Sequence, residues 1–221
     1  MRAPTPEPRL PEAWSGDGWL DISRPLSRET PVWPDDRIFE LGQRSDGDIM
    51  VSAFSTTCHV GTHVDAPLHL GPSGIAVHEI PMGRLIGPAE VVRLPASCSV
   101  AVPGDLPLGW SPRYPKVLLR TDSHPVNAPI RDGFTGLAAE LIGWLADRGV
   151  LTIGIDTPSL DRFSSVDLEA HHAAADRGLT WIEGLRLDGV EAGRYLFIGL
   201  PMPLYGTEAA PVRSLVKRLE S

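Results

Sequence analysis

The segment His59-Val-Gly-Thr-His63-Val-Asp65-Ala-Pro-Leu-His69 places three imidazoles and a carboxylate within eleven residues, and it restricts what the backbone around it can do. Gly61 and Pro67 both work against a continuous helix, so these groups cannot form one helical face. A bend after a strand serves better. Gly61 permits a tight turn, and the even spacing of 59, 63, 65 and 69 suits an extended chain that points its side chains one way. The expectation is that all four face one cavity.

Five of the seven histidines fall in two clusters, these three and the pair His171 and His172. A divalent ion of the zinc type takes neutral imidazole and carboxylate ligands, and a catalytic site keeps positions open for water and substrate. His59, His63 and Asp65 offer two nitrogens and a carboxylate within seven residues, which predicts a metal centre. The competing reading is a polar surface loop, or core histidines satisfied by backbone carbonyls. Cys58 reads as a small packed residue, since neighbours on a strand point to opposite faces, and His124 reads as solvated in a Pro-rich loop. No Gly-x-Ser-x-Gly elbow, zincin helix or Gly-rich phosphate loop is present.

The 22 glycines and 22 prolines among 221 residues point to many turns, and hence to a mixed α/β domain rather than a helical bundle. A net charge of −8 without a Lys/Arg cluster excludes nucleic acid as a partner. Two cysteines cannot build a disulfide framework, and no stretch approaches the roughly 20 apolar residues of a membrane span, so a cytoplasmic protein is expected. Residues 1–16 are proline-rich and read as a poorly ordered extension, with one domain over 17–221.

Alternation predicts strands at Trp19–Ser23, at Met50–Thr57 as a half-buried strand, at Glu90–Leu94 and at Lys116–Arg120. Gly136–Arg148 is predicted helical with Gly149 as its C-terminal cap, followed by a buried strand at Val150–Asp156. A second helix is predicted over Val166–Asp176 with Ser164 and Ser165 as N-caps, and late strands at Thr180–Gly184 and Arg194–Leu200.

The His-rich segment resembles the defining motif of the metal-dependent cyclase superfamily, which includes bacterial kynurenine formamidases and isatin hydrolases. Leu20-Asp-Ile-Ser-Arg-Pro-Leu-Ser-Arg-Glu-Thr-Pro-Val-Trp-Pro-Asp35 is similar to the formamidases' N-terminal segment. Gly154-Ile-Asp-Thr-Pro-Ser-Leu-Asp161, Ala170-His-His172 and Glu183-Gly-Leu are similar to their C-terminal half, so the resemblance runs from Trp19 to Leu219. It implies a compact α/β domain of the swivelling β/β/α kind and a homodimer. It further implies two zinc ions per subunit, with manganese as the alternative metal. His59, His63 and Asp65 would hold one ion, with Asp65 bridging to a second held by His171 and Glu183; His172 is the neighbouring alternative to His171. The resemblance makes His69 the proton donor and acceptor and Trp33 a contact to the aromatic substrate. The implied reaction is hydrolysis of N-formyl-L-kynurenine to L-kynurenine and formate in tryptophan breakdown, by a zinc-activated water. Gly61-Thr62-His63 stands where the formamidases often have Gly-Ala-His, and the stretch from Trp33 to His59 is a few residues shorter than theirs. The competing readings are therefore a hydrolase of a cyclic amide such as isatin, and a non-catalytic metal-binding member.

Overall fold

The computed structural model describes residues 17–95 and 98–220, so the extension expected over 1–16 lies outside the described residues. Eight strands form one sheet in the order β1 (Trp19–Asp21), β12 (Ala209–Arg218), β11 (Gly193–Pro201), β5 (Ile86–Arg93), β7 (Lys116–Arg120), β9 (Thr152–Ile155), β10 (Thr180–Glu183) and β4 (His63–Asp65). β4 also pairs with Ala209–Pro211 at the start of β12, which closes the sheet into a barrel-like wall. The run β5–β7–β9–β10 is parallel and the remaining pairings are antiparallel. Outside this sheet lie the hairpin β2 (Glu40–Asp46) and β3 (Ile49–Ser55), and the short parallel pair β6 (Val100–Ala101) and β8 (Gly136–Leu137). The helices are α1 (Met82–Leu85), α2 (Ala139–Ala146) and α3 (Glu169–Asp176).

The two-residue period of the strands sorts side chains into two cores. Leu118 of β7, Val64 of β4, Ile182 of β10 and Phe197 of β11 share one cluster. Val117 and Leu119 on the opposite face of β7 pack with Leu141 and Leu145 of α2, and with Trp181 of β10. β9 is buried along its whole length, as a parallel strand covered on both faces must be. Because Val64 and Ile182 belong to the first core, their neighbours His63, Asp65 and Glu183 face the other side, where α3 lies.

Most expected elements are present, with three differences. β3 is not half-buried: Ile49 and Met50 are 67% and 62% exposed, because the β2–β3 hairpin pairs only with itself. The first long helix begins at Ala139, since Gly136 and Leu137 are drawn into pairing with Val100 and Ala101. The second begins at Glu169 without a serine cap. Its first-turn N–H groups at Ala170 and His171 donate instead to the Asp161 carboxylate, at 3.0 and 3.1 Å, so the chain reaches the helix by a loop that Asp161 organises.

Candidate metal centre

The His-rich segment converges through a turn, a three-residue strand and the short 3-10 turn Pro67–Leu70, rather than along the single extended run that its even spacing suggests. Gly61 supplies the bend with φ of +62°. β4 then registers against β10 so that His63 faces Glu183 and Asp65 faces Trp181. Gly184, with φ of +65°, lies so close that a Cβ there would sit 2.1 Å from the Gly61 carbonyl oxygen. This backbone contact ties the histidine turn to the strand end carrying Glu183. Gly184→Ala should therefore lower stability by about 2 kcal/mol or more and weaken metal retention, read by thermal melting and metal content. A variant as stable and metal-rich as the parent would show that the contact is dispensable.

The six polar residues expected at the site come together. His59 Nδ1 lies 3.1 Å from Asp65 Oδ1, and His63 Nε2 lies 3.4 Å from the same oxygen and 3.3 Å from Glu183 Oε2. His171 Nε2 lies 3.2 Å from Glu183 Oε1 and 3.7 Å from Asp65 Oδ2. The His69 ring stands 4.5 Å from that of His59 and 5.8 Å from that of His171, between centroids. Asp65 is the hub. Candidate ligand atoms gather as His59, Asp65 and His69, and as His63, Asp65 and Glu183, so His63 sits with Glu183 as well as with Asp65. His171 is buried in this cluster, whereas His172 on the next position of α3 is exposed.

His63 Nε2 and Asp65 Oδ1 are buried at the centre of the cluster, and among the described residues neither meets a well-aligned hydrogen-bond partner, the 3.1 Å approach of His59 to Asp65 included. Buried polar atoms are nearly always satisfied, and two orphans facing each other among further imidazole and carboxylate groups suit a divalent cation of the zinc type. The metal-free electrostatics agree. Burial pushes the His59 imidazolium down, but Asp65, Glu183 and Glu208 outweigh it and raise its pKa from 6.5 to about 9. Burial also opposes charge on His171, yet Glu183, Asp161 and Asp65 carry its pKa well above the ordinary value. Asp65 and Glu183 are buried against ionisation as well, and the surrounding histidines hold both below the usual carboxylate range. Protons thus occupy the places that a cation would take. His69 differs: burial lowers its pKa below 6.5, and the pull of Asp65 does not restore it.

Four further groups support the cluster, and of these Leu160 and Asp161 fall within a segment whose resemblance is legible in the sequence while Trp181 and Glu208 do not. Asp161 accepts from His171 Nδ1 at 2.6 Å, which leaves Nε2 facing Glu183. Trp181 Nε1 donates to Asp65 Oδ2 at 3.0 Å, and the Leu160 N–H donates to Glu183 Oε1 at 2.7 Å. Glu208 Oε1 lies 3.5 Å from His59 Nε2. Carboxylates that orient a ligating histidine typically contribute 10- to 100-fold to metal affinity, so Asp161→Asn should weaken metal binding by about that factor, measured by competition with a chelating dye. Unchanged affinity would remove Asp161 from the site.

The cluster opens onto a cavity of about 590 Å³. Trp33 lines it and packs on Phe163, with ring centroids 5.1 Å apart at 33°. His124 is not solvated as its Pro-rich loop suggested. It stands on the cavity wall between Arg24 and Phe134, because the loop folds back over the buried Arg24 guanidinium.

The cyclase family model matches residues 20–162. Kynurenine formamidase from Bordetella pertussis is 36% identical over 203 residues, covering 90% of this chain and 97% of the relative. The Bordetella petrii kynurenine formamidase matches to the same extent. Among solved structures, one described as a potential metal-dependent hydrolase with cyclase activity is 27% identical with a TM-score of 0.79, over 92% of this chain and 98% of that one. Isatin hydrolase A from Labrenzia aggregata has a TM-score of 0.75 over 91% of this chain and 94% of that one; at 23% identity it speaks for the fold alone.

Proposed function

The chain belongs to the cyclase family, and from that premise we propose that it is a metal-dependent amide hydrolase that cleaves N-formyl-L-kynurenine to L-kynurenine and formate. The observation that carries the reading is His69, set against His59 and beyond the buried ligand cluster, at a cavity whose wall presents the Trp33–Phe163 pair. A structural metal site fills its positions with protein ligands and has no use for such a residue.

His59, His63, Asp65, His171 and Glu183 would hold up to two zinc ions, with manganese as the alternative. When bound, the metal supplies Lewis acidity toward water and the formyl oxygen. Trp33 and Phe163 offer aromatic faces against which the planar anilide is held, fixing the formyl carbon relative to His69. His69, neutral at pH 7, accepts the proton of the attacking water and delivers it to the departing aniline nitrogen as the carbon–nitrogen bond breaks. The products balance as formic acid, ionised at neutral pH, and the free arylamine.

The test is hydrolysis of N-formylkynurenine by purified protein, followed at the absorbance of kynurenine, with chelated and zinc-restored samples in parallel. Turnover that is lost on chelation and returns with zinc is expected. A folded, metal-loaded protein without turnover would overturn the formamidase reading, and cleavage of isatin would then identify the cyclic-amide alternative.

The same reading includes the swivelling β/β/α architecture, a role in tryptophan breakdown, a cytoplasmic location and a homodimer. Among the described residues no helix is long and apolar enough to cross a membrane. Leu41, Met50 and Phe54 share one face of the exposed β2–β3 hairpin, an apolar surface of the kind that a second copy covers. Light scattering should give twice the chain mass, and Met50→Glu with Phe54→Glu should halve it. A monomeric parent would end the homodimer reading.

A further inference from the structure

Among the described residues Arg24 is a buried cation with no carboxylate in ion-pair contact; Asp156 and Asp188 act on its charge only from farther off. Only 6% of its surface is exposed, and its contacts are carbonyls and one imidazole: Nε donates to Gly184 O at 2.9 Å, Nη2 to Asp156 O at 2.7 Å and to His124 O at 3.5 Å, and Nη1 faces His124 Nδ1 at 3.4 Å. Asp156 lends only its backbone oxygen, because its carboxylate is held by Thr121 and by the Asp122 N–H. Among the described residues no carboxylate lies within ion-pair distance of the guanidinium. A buried charge without a counter-ion is costly, and an anion reaching it from the cavity would offset that cost.

A guanidinium carries five N–H donors, and the four contacts leave one Nη1 hydrogen over. Because a guanidinium cannot accept, His124 Nδ1 must take the Nη1 hydrogen, which requires a neutral imidazole. Burial and the neighbouring charge both lower the His124 pKa and keep it neutral. Arg24 and His124 line the same cavity as His69 and the ligand cluster, and the Arg24 anchor Gly184 directly follows Glu183. The guanidinium is therefore fixed relative to the site of bond cleavage.

We propose that Arg24 binds the carboxylate of the substrate's amino-acid end, with His124 as the positioning residue that holds Nη1. The inference rests on the formamidase reading and adds to it the basis for selecting an amino acid over a simple formanilide. The second cation on the cavity wall, Arg162, is exposed and is the competing candidate.

The experiment compares kcat/KM for N-formyl-L-kynurenine with that for 2-formamidoacetophenone, which keeps the aryl formamide and lacks the amino-acid carboxylate. The parent protein should prefer the former, and Arg24→Gln should reduce the ratio roughly 10- to 100-fold, the worth of one buried charge-assisted hydrogen bond, mainly through KM. His124→Ala should reduce it less, and Arg162→Gln should preserve it. A purely structural role for Arg24 would depress both substrates in proportion and leave the ratio unchanged, overturning the proposal, as would a ratio lost in Arg162→Gln instead. Should Arg24→Gln not fold, the parent ratio still decides: equal efficiency on both substrates overturns the subsite alone. Cleavage of neither overturns the formamidase reading and the subsite with it.

Discussion

Asp65→Asn is expected to empty the metal centre and abolish hydrolysis. Asp65 is 1% exposed, its Oδ1 faces His59 and His63, and its Oδ2 faces His171 while accepting from Trp181. An amide keeps one acceptor and loses the charge, leaving buried imidazoles without their counter-charge. Breaking one partner from a buried charged set costs about 3–5 kcal/mol, and a loss of that size in metal affinity is roughly 150- to 5,000-fold, measurable by calorimetric titration of the chelated protein. A second readout needs no metal. His59 titrates at about 9 in the folded chain against 6.5 ordinarily, so its stabilisation of the metal-free fold is complete below pH 6.5 and is lost as pH rises toward 9. The chelated parent should therefore melt at lower temperature across that window, with a flatter profile in Asp65→Asn, where the strongest partner of His59 is gone. Full metal content and activity in the variant would remove Asp65 from the centre of the site.

His69→Ala should lower kcat by about 10²- to 10⁴-fold, the usual worth of a positioned general acid–base group. Metal content separates this role from ligation, since His69 lies near enough to His59 and Asp65 to share a cation with them. A variant that keeps its metal and loses turnover supports proton transfer; one that loses its metal makes His69 a ligand. The pH profile adds a signature. Burial holds the His69 pKa below 6.5, and a bound cation would push it the same way, so the activity lost by protonating His69 should appear only on the acid side of 6.5. That limb should be missing in the variant.

What could be read beforehand followed the range of the physics. His59, His63, Asp65 and His69 declare themselves because ligand chemistry is concentrated in one short stretch, and β7 and β9 because buried parallel strands leave unbroken apolar runs. Resemblance supplied His171 and Glu183, which lie far along the chain. Asp161, Trp181 and Glu208 act through contacts spanning 10, 116 and 149 positions, and no local pattern encodes such pairings. β12 escapes a sequence reading because Pro211 interrupts it and Ser214 breaks its buried apolar row, leaving a strand that only its three neighbours define. His124 was misjudged because a Pro-rich loop reads as solvated until the buried Arg24 beneath it is known.

The seam between β4 and β12 also sets a timetable. The candidate ligands span His59 to Glu183, but β4, which bears His63 and Asp65, is flanked by β10 on one edge and by Ala209–Pro211 on the other. Contacts between positions so distant form late and slowly. During synthesis the histidines emerge well before the strand that seals them in, so a nascent chain can offer loose imidazoles but not a finished site. Metal loading should accordingly coincide with the docking of β12, the strand that closes the second edge of β4.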